Sequence, residues 1–311
     1  MTDPVLAEVV RSGFVESVHR GALVITGPEG DARLALGDVV SPVFPRSSNK
    51  PLQAVGMLRA GLGFTGEDLA LACASHSGEP GHVKRVLELL EAAGLHEDHL
   101  ACPPDFPLHV PSMRDAAEPR RVTMNCSGKH TAMLTTCVRV GWPVSGYEKP
   151  EHPLQQAIAT AVAELTGEPI AHTGVDGCGA PLFAFSLTAL ARAFGRIARA
   201  AEGPAQAVAS AMRTHPWLVA GTGREDTELM SAVEGLIAKA GAEGVQAFAL
   251  PDGFAVAMKV DDGAKRACAP LAVEALRYLG ADVSGLAELA RPAVFGGGRP
   301  VGEIRVPHLR G

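Results

Sequence analysis

The β-rich segments of this chain lie at its two ends, and the long stretch between them carries helical periodicity. Residues 14–19 and 22–26 are rich in strand formers. The turn cluster Gly27-Pro28-Glu29-Gly30-Asp31 then leads into residues 32–36, which predicts an N-terminal hairpin. Near the other end, residues 247–250 and 255–260 flank Pro251-Asp252-Gly253, a second hairpin signal, and residues 301–306 read as a last strand stopped by Pro307. In the middle, Val83, Val86, Leu87 and Leu90 recur at helical spacing, as do Leu154, Ile158, Val162 and Leu165. Leu229, Val233, Leu236 and Ile237 predict a further helix over 225–240. A helical run to about residue 201 is expected after the tight turn at 176–181. The apolar run 69–74 fits either a strand or a helix. Five prolines from Pro103 to Pro119 predict a loop, and polar caps followed by Pro51 predict a helix start near Ser48 or Asn49. The order implies an α/β (α+β) fold, with an antiparallel or mixed sheet built from both termini and packed against helices. We expect a single domain over 1–311, with a helical middle at about 80–245.

Composition narrows the function classes. Hydrophobic residues make 47% of the chain and aromatics only 5%, so Ala, Val and Leu must fill the core. Lys and Arg number 28 against 34 Asp and Glu, a net charge of −6, which argues against a nucleic-acid partner. The sequence has no run of 18 apolar residues, so no membrane span is expected. The acidic start, MTDPVLAEVV, lacks the pattern of an export signal, and six cysteines are too sparse for a disulfide framework. Reduced thiols in a cytoplasm are the expectation.

Several short patterns bear chemistry. A serine hydroxyl needs a base to attack, and Ser47-x-x-Lys50 places an amine about one helical turn away. Such a lysine must be neutral to accept a proton; the bland alternative is a capped surface helix. Ser75-His76-Ser77-Gly78 offers a second hydroxyl, or a simple helix cap. Lys259 sits in an otherwise apolar strand, either as a buried base or pointing to solvent. Cys126-Ser127-Gly128-Lys129-His130 lacks the frame of a phosphate loop. Cys126 and Cys178 have no recurrent metal-ligand spacing, so spacing alone favours buried thiols. Asp176, in Asp176-Gly177-Cys178-Gly179, is a pocket carboxylate or a turn residue. His19, His109, His172 and His308 read as structural.

Together, FVESVHRG, PRSSNKPLQA, LACASHSGEPGHV, NCSGKHTAML, VDGCGAPLFAFSL and VGEIR resemble the rhizobial-type, thermolabile (class 3, asparaginase II-like) L-asparaginases, over about residues 13–306. The resemblance implies a fold like the serine β-lactamases and glutaminases. It implies an amidohydrolase that converts L-asparagine to L-aspartate and ammonia, working as a homodimer. Ser47 with Lys50 match one catalytic pair, and Ser75 with Lys259 a second; Ser47 is expected to attack with Lys50 as base, and Ser75 with Lys259 to relay protons to the leaving ammonia, an order in which the two serines can be exchanged. Arg46, His130 and Asp176 match substrate-pocket positions, with Asp176 suited to the α-ammonium. Cys126, Lys129 and Cys178 match a Zn²⁺ site that would tune the reaction rather than perform it. Asp226 has no assigned role. Two other classes stay open. A penicillin-interacting, β-lactamase-like hydrolase would share S-x-x-K, but S-D-N and K-T-G are missing. A non-catalytic zinc-dependent binding protein would need the thiols and not the serines.

Overall fold

The computed structural model describes residues 3–307 and residue 309. His308 lies outside the described residues. In chain order the elements begin with β1 (Val5–Arg11), β2 (Phe14–Thr26), β3 (Ala32–Leu36) and β4 (Pro42–Val43). A 3-10 turn at Arg46–Asn49 leads into α1 (Lys50–Ala60), α2 (Gly66–Ala72), α3 (Pro80–Ala92), α4 (Val110–Asp115), α5 (Ser127–Val140) and α6 (Pro153–Thr166). Then come β5 (His172–Val175), β6 (Pro181–Ser186), α7 (Leu187–Ala198), α8 (Gly203–Thr214), α9 (Pro216–Val219) and α10 (Glu225–Ala232). The chain ends with β7 (Ile237–Ala240), β8 (Val245–Ala249), β9 (Ala255–Val260), α11 (Cys268–Tyr278), α12 (Ala287–Ala290), β10 (Ala293–Gly296) and β11 (Arg299–Arg305).

The chain divides into two compact units. Unit 1 holds the described residues of Met1–Ser48, Phe185–Arg199 and Glu228–Gly311. Its sheet runs β10-β11-β1-β2-β9-β8-β7, with β3 also paired to β2. The pairings are antiparallel, so strands from both termini meet as expected, in the antiparallel of the two arrangements left open. β2 explains how. Its first half, FVESVHR, is largely exposed and pairs with β1. Its second half, ALVIT, is buried and pairs with β3 and β9. Helix α7 covers β2, β8 and β9 with Leu187, Leu190, Phe194 and Ile197. Its first turn is capped by Ser186, whose Oγ accepts from the Ala189 N–H at 3.0 Å.

Unit 2 holds Asn49–Ala184 and Ala200–Thr227. Here α1 packs on α5, α6 and α8, and α2 packs on α5, α8 and α9. Because α1, α2, α3 and α6 all contact α5, every residue from Ser127 to Cys137 is buried, polar ones included. β5 pairs with the first part of β6 along one side.

Two expected helices differ. The run after the 176–181 turn begins as strand β6, six buried residues of PLFAFS, and turns helical only after Ser186. The 225–240 segment is a helix only to Ala232. Gly235, at φ +70°, turns the chain, and Ile237–Ala240 pairs with β8. Every residue of that short strand is buried, so its apolar pattern continues the helical spacing without forming a helix. The 69–74 run belongs mostly to helix α2. The proline-rich segment is loop apart from α4, none of whose residues is buried. No helix among the described residues is long and apolar enough to cross a membrane.

Candidate active site

Ser75 lies in the loop after α2 and is buried. Its N–H donates to Val219 O at 3.0 Å, and the next N–H, of His76, donates to Asn125 O at 3.1 Å. Lys50 opens α1, with Pro51 in the helix's first turn, and is 1% exposed. Its Nζ lies 2.6 Å from Ala74 O, 3.0 Å from Ser75 Oγ and 3.1 Å from Cys126 Sγ. An ammonium would donate to all three. A neutral amine would donate to Ala74 O and Cys126 Sγ and accept from the Ser75 hydroxyl, which is the arrangement a general base requires.

A second cluster adjoins the first through Cys126. Lys129 Nζ lies 3.1 Å from Cys178 Sγ. The Cys126 thiol, against the cost of burial and followed by Lys129 and His130, pulls the Cys178 thiol far below its usual range. Hydrogen bonding to Cys178, with burial, pushes the Cys126 thiol well up. Against the cost of burial, Cys178, Cys126 and Asp176 push the Lys129 ammonium up. His130 Nδ1 sits 2.6 Å from the Tyr147 hydroxyl, which itself accepts from the Ala101 N–H at 2.9 Å. The hydroxyl thus donates to Nδ1, and Nε2, a buried atom without a hydrogen bond of good geometry, carries the proton. Burial lowers the His130 pKa, so the ring is neutral. Asp176 is half-buried in its turn, with Oδ1 accepting from the Gly177 N–H at 2.9 Å.

The segment after α9 clamps the serine loop. Ser77 Oγ donates to Ala220 O at 2.8 Å, and Glu79 accepts from the Thr222 N–H and hydroxyl, both at 2.8 Å. Burial opposes the Glu79 charge, but these two bonds hold its carboxyl below the usual range. Gly221 permits the approach: at φ +127°, a Cβ there would lie 2.3 Å from Ser77 Oγ. His82 stacks on Trp217 with centroids 4.0 Å apart. Asp226 is buried nearby in the chain, ahead of the boundary at Thr227.

The structure thus gathers Lys50, Ser75 and Cys126 in one bonded group and Lys129, Cys178 and His130 in the next. Arg46, Ser47 and Lys259 belong to unit 1. Arg46 has φ +52°, a strained backbone for a residue with a side chain, and its Nη1 lies 3.7 Å from Glu243 Oε1. Half-buried Ser47 follows it in the 3-10 turn. Lys259 Nζ donates to Glu243 O at 2.8 Å and Val260 O at 2.6 Å. His19 pairs with Asp262 at 2.6 Å and His109 caps α4, both structural roles; His172 opens β5 on the surface. Sequence reading missed Tyr147 and Glu243. Tyr147 is one of only two tyrosines in the chain, and Glu243 sits in a Gly-flanked turn; neither forms a motif.

Of the solved structures, the chain is similar to a β-lactamase from Mycobacterium bovis, with 16% identity over 80% of this chain and 89% of that one, at a TM-score of 0.45. It is also similar to a protein called Mglu, crystallised in 4.3 M NaCl, with 14% identity over 89% of this chain and 65% of that one, at a TM-score of 0.47. No curated protein matches the chain. The family model described as L-asparaginase II matches residues 7–306, a span that includes every candidate residue from Arg46 to Lys259. With its match running almost end to end, the chain belongs to the L-asparaginase II family.

Proposed function

We propose that the protein hydrolyses L-asparagine to L-aspartate and ammonia through a serine ester, with Ser75 attacking and Lys50 moving the protons. Family membership supports an asparaginase-type amidohydrolase. The observation that carries the finer reading is the 3.0 Å contact between Lys50 Nζ and Ser75 Oγ at a buried site. Neutral Lys50 takes the Ser75 proton as Oγ bonds to the side-chain amide carbon. The resulting ammonium returns that proton to the amide nitrogen, the C–N bond breaks and ammonia leaves. Lys50 then takes a proton from water, whose oxygen attacks the ester. Ser75 recovers the proton as the ester C–O bond breaks and aspartate departs. Asp176 is proposed to take the substrate α-ammonium. His130, with its Nε2–H, and Arg46 are the further proposed substrate contacts. Ser47 and Lys259 are the other hydroxyl and amine of the sequence pattern, and the chemistry above runs without them.

The family resemblance carries two more elements of the proposal, a homodimer and Zn²⁺. Among the described residues no three or more His, Cys, Asp and Glu side chains are grouped to hold a metal ion. The buried donors present are two sulfurs, Cys126 and Cys178, and the Lys129 amine. Soft donors of this kind fit zinc, provided the lysine serves as third ligand and gives up its proton. Zinc bound there would supply positive charge that orients the substrate.

Ammonia release from asparagine and glutamine, and hydrolysis of a penicillin, should be measured side by side. Asparagine turnover, lost in Ser75→Ala, and a mass increase on a Ser75 peptide during turnover are expected. Penicillin turnover alone would support the β-lactamase-like reading. Zinc binding with no turnover would support the binding-protein reading. A mass increase on a Ser47 peptide would exchange the two serines.

A further inference from the structure

The turn Ser75-His76-Ser77-Gly78 has no regular secondary structure to set the direction of the Ser75 side chain. Individual hydrogen bonds must do so, and His76 supplies two of them. The Gly78 N–H donates to His76 Nδ1 at 3.1 Å. On the other side of the ring, Nε2 lies 2.8 Å from Ser127 Oγ, and that hydroxyl donates to Val122 O at 2.8 Å. A hydroxyl committed to a carbonyl must accept from the imidazole, so Nε2 carries the proton. Nδ1 faces an N–H and carries none. The two ends therefore select one neutral tautomer. The ring is fully buried and stacks on His82, with centroids 5.2 Å apart, which resists rotation. Burial, more than any neighbouring charge, holds His76 well below the usual imidazole range, so the neutral form persists.

We infer that His76 is a positioning residue for Ser75: its ring closes the serine turn on the Gly78 N–H, with Ser127 at the start of α5 fixing the tautomer that can accept that bond, and so holds the Ser75 hydroxyl against Lys50. The ring touches no substrate and exchanges no proton. The inference rests on the assignment of Ser75 as nucleophile. A flat ring with an acceptor on one side and a donor on the other spans both partners. Asparagine would keep the bond to Gly78 N–H, since its side chain readily accepts from the amide two residues on. Glutamine would reach toward Ser127 and lose Gly78.

The full chain should be prepared with His76→Ala, His76→Asn, His76→Gln and Ser75→Ala. The readouts are kcat and KM for asparagine, thermal midpoint, and the rate at which a fluorophosphonate labels Ser75. For His76→Ala we expect kcat to fall about 100-fold with KM nearly unchanged, the loss typical of a reacting group displaced by about 1 Å. His76→Asn should recover most of that loss, His76→Gln little, and the labelling rate should follow kcat. The inference is overturned if His76→Ala keeps kcat within about threefold, a change too small for a lost positioning contact. It is also overturned if Asn and Gln lose kcat alike and in proportion to their thermal midpoints. Should His76→Ala fail to fold, the Asn and Gln comparison decides alone. A Ser75→Ala protein that retains turnover, with label on another residue, would sink the nucleophile assignment instead, and the role of His76 would fall with it.

Discussion

Lys259 in unit 1 and Lys50 in unit 2 both sit in regular structure, and the two units give them different company. Lys259 is half-buried on β9 and donates to two backbone carbonyls, which can only accept. Lys50 is 1% exposed and meets a carbonyl, a hydroxyl and a thiol. Two of those partners hold exchangeable protons, so Lys50 can pass a proton and be left satisfied. The contrast extends to the units themselves. The strands of unit 1 bury few polar side chains, Lys239 on β7 and Gln246 on β8 among them, whereas α5 alone buries Lys129, His130, Thr131 and Thr136. Burying polar groups costs free energy unless each is bonded, so unit 2 holds its shape through specific contacts as well as packing.

The sharpest test sets the two lysines against each other. Lys50→Ala should lower kcat by roughly 10²–10⁴-fold, the range of general-base assistance. Lys50→Arg should not rescue it, because a guanidinium stays protonated. Lys259→Ala should cost much less; equal losses measured by ammonia release would break the comparison.

Next in size are two glycines. A Cβ at Gly302 would meet Val10 O at 1.8 Å, and one at Gly221 would meet Ser77 Oγ at 2.3 Å. Each Gly→Ala change should cost about 1–3 kcal/mol in urea unfolding, as overpacking does. Turnover per folded molecule should survive in Gly302→Ala and fall in Gly221→Ala, where the serine loop must shift. Unchanged kcat in both would remove the distinction between scaffold and site.

A smaller effect concerns acid. Burial lowers the pKa of His82 in the folded chain from the ordinary 6.5, and that of His76 well below it. The unfolded chain therefore binds more protons than the native one below about pH 6.5, and stability falls as pH drops. The slope is at most about 1.4 kcal/mol per pH unit for each histidine. His82→Gln should unfold in urea with a shallower loss between pH 7 and 5 than the parent; an equal slope would place the acid-sensitive groups elsewhere. The smallest effect is metal removal. Chelated protein should keep measurable turnover with a raised KM, and rebinding Zn²⁺ should release protons from its thiol and amine ligands, by calorimetry in buffers of different ionisation heat. Complete, metal-reversible loss of turnover would make zinc part of the chemistry, and Cys126→Ala should bind no metal.

Much of unit 1 was legible because its strands carry β-rich runs with turn signals such as Pro251-Asp252-Gly253. β1 escaped notice because VLAEVVR follows an acidic start and has no turn motif before it. β7 reads as a continuation of the helix before it, because a fully buried strand has no alternation to betray it. At the site, Ser47-x-x-Lys50 is visible as spacing, yet the hydroxyl bonded to Lys50 belongs to Ser75, 25 residues away. Spacing reports neighbours along the chain. The tautomer of His76 and the meeting of Cys178 with Lys129 depend on partners that converge only after folding.

The boundaries of the units fall at Ser48/Asn49, Ala184/Phe185, Arg199/Ala200 and Thr227/Glu228. The chain therefore crosses between them four times, once inside β6 and once inside α10. Neither unit is a contiguous stretch of the gene. A cut at any single point cannot release either unit whole, and the shortest continuous stretch that holds all of unit 2, residues 49–227, also carries Phe185–Arg199 of unit 1. For anyone dividing this protein into pieces, unit 2 can be taken only together with helix α7 of unit 1, and unit 1 only together with all of unit 2.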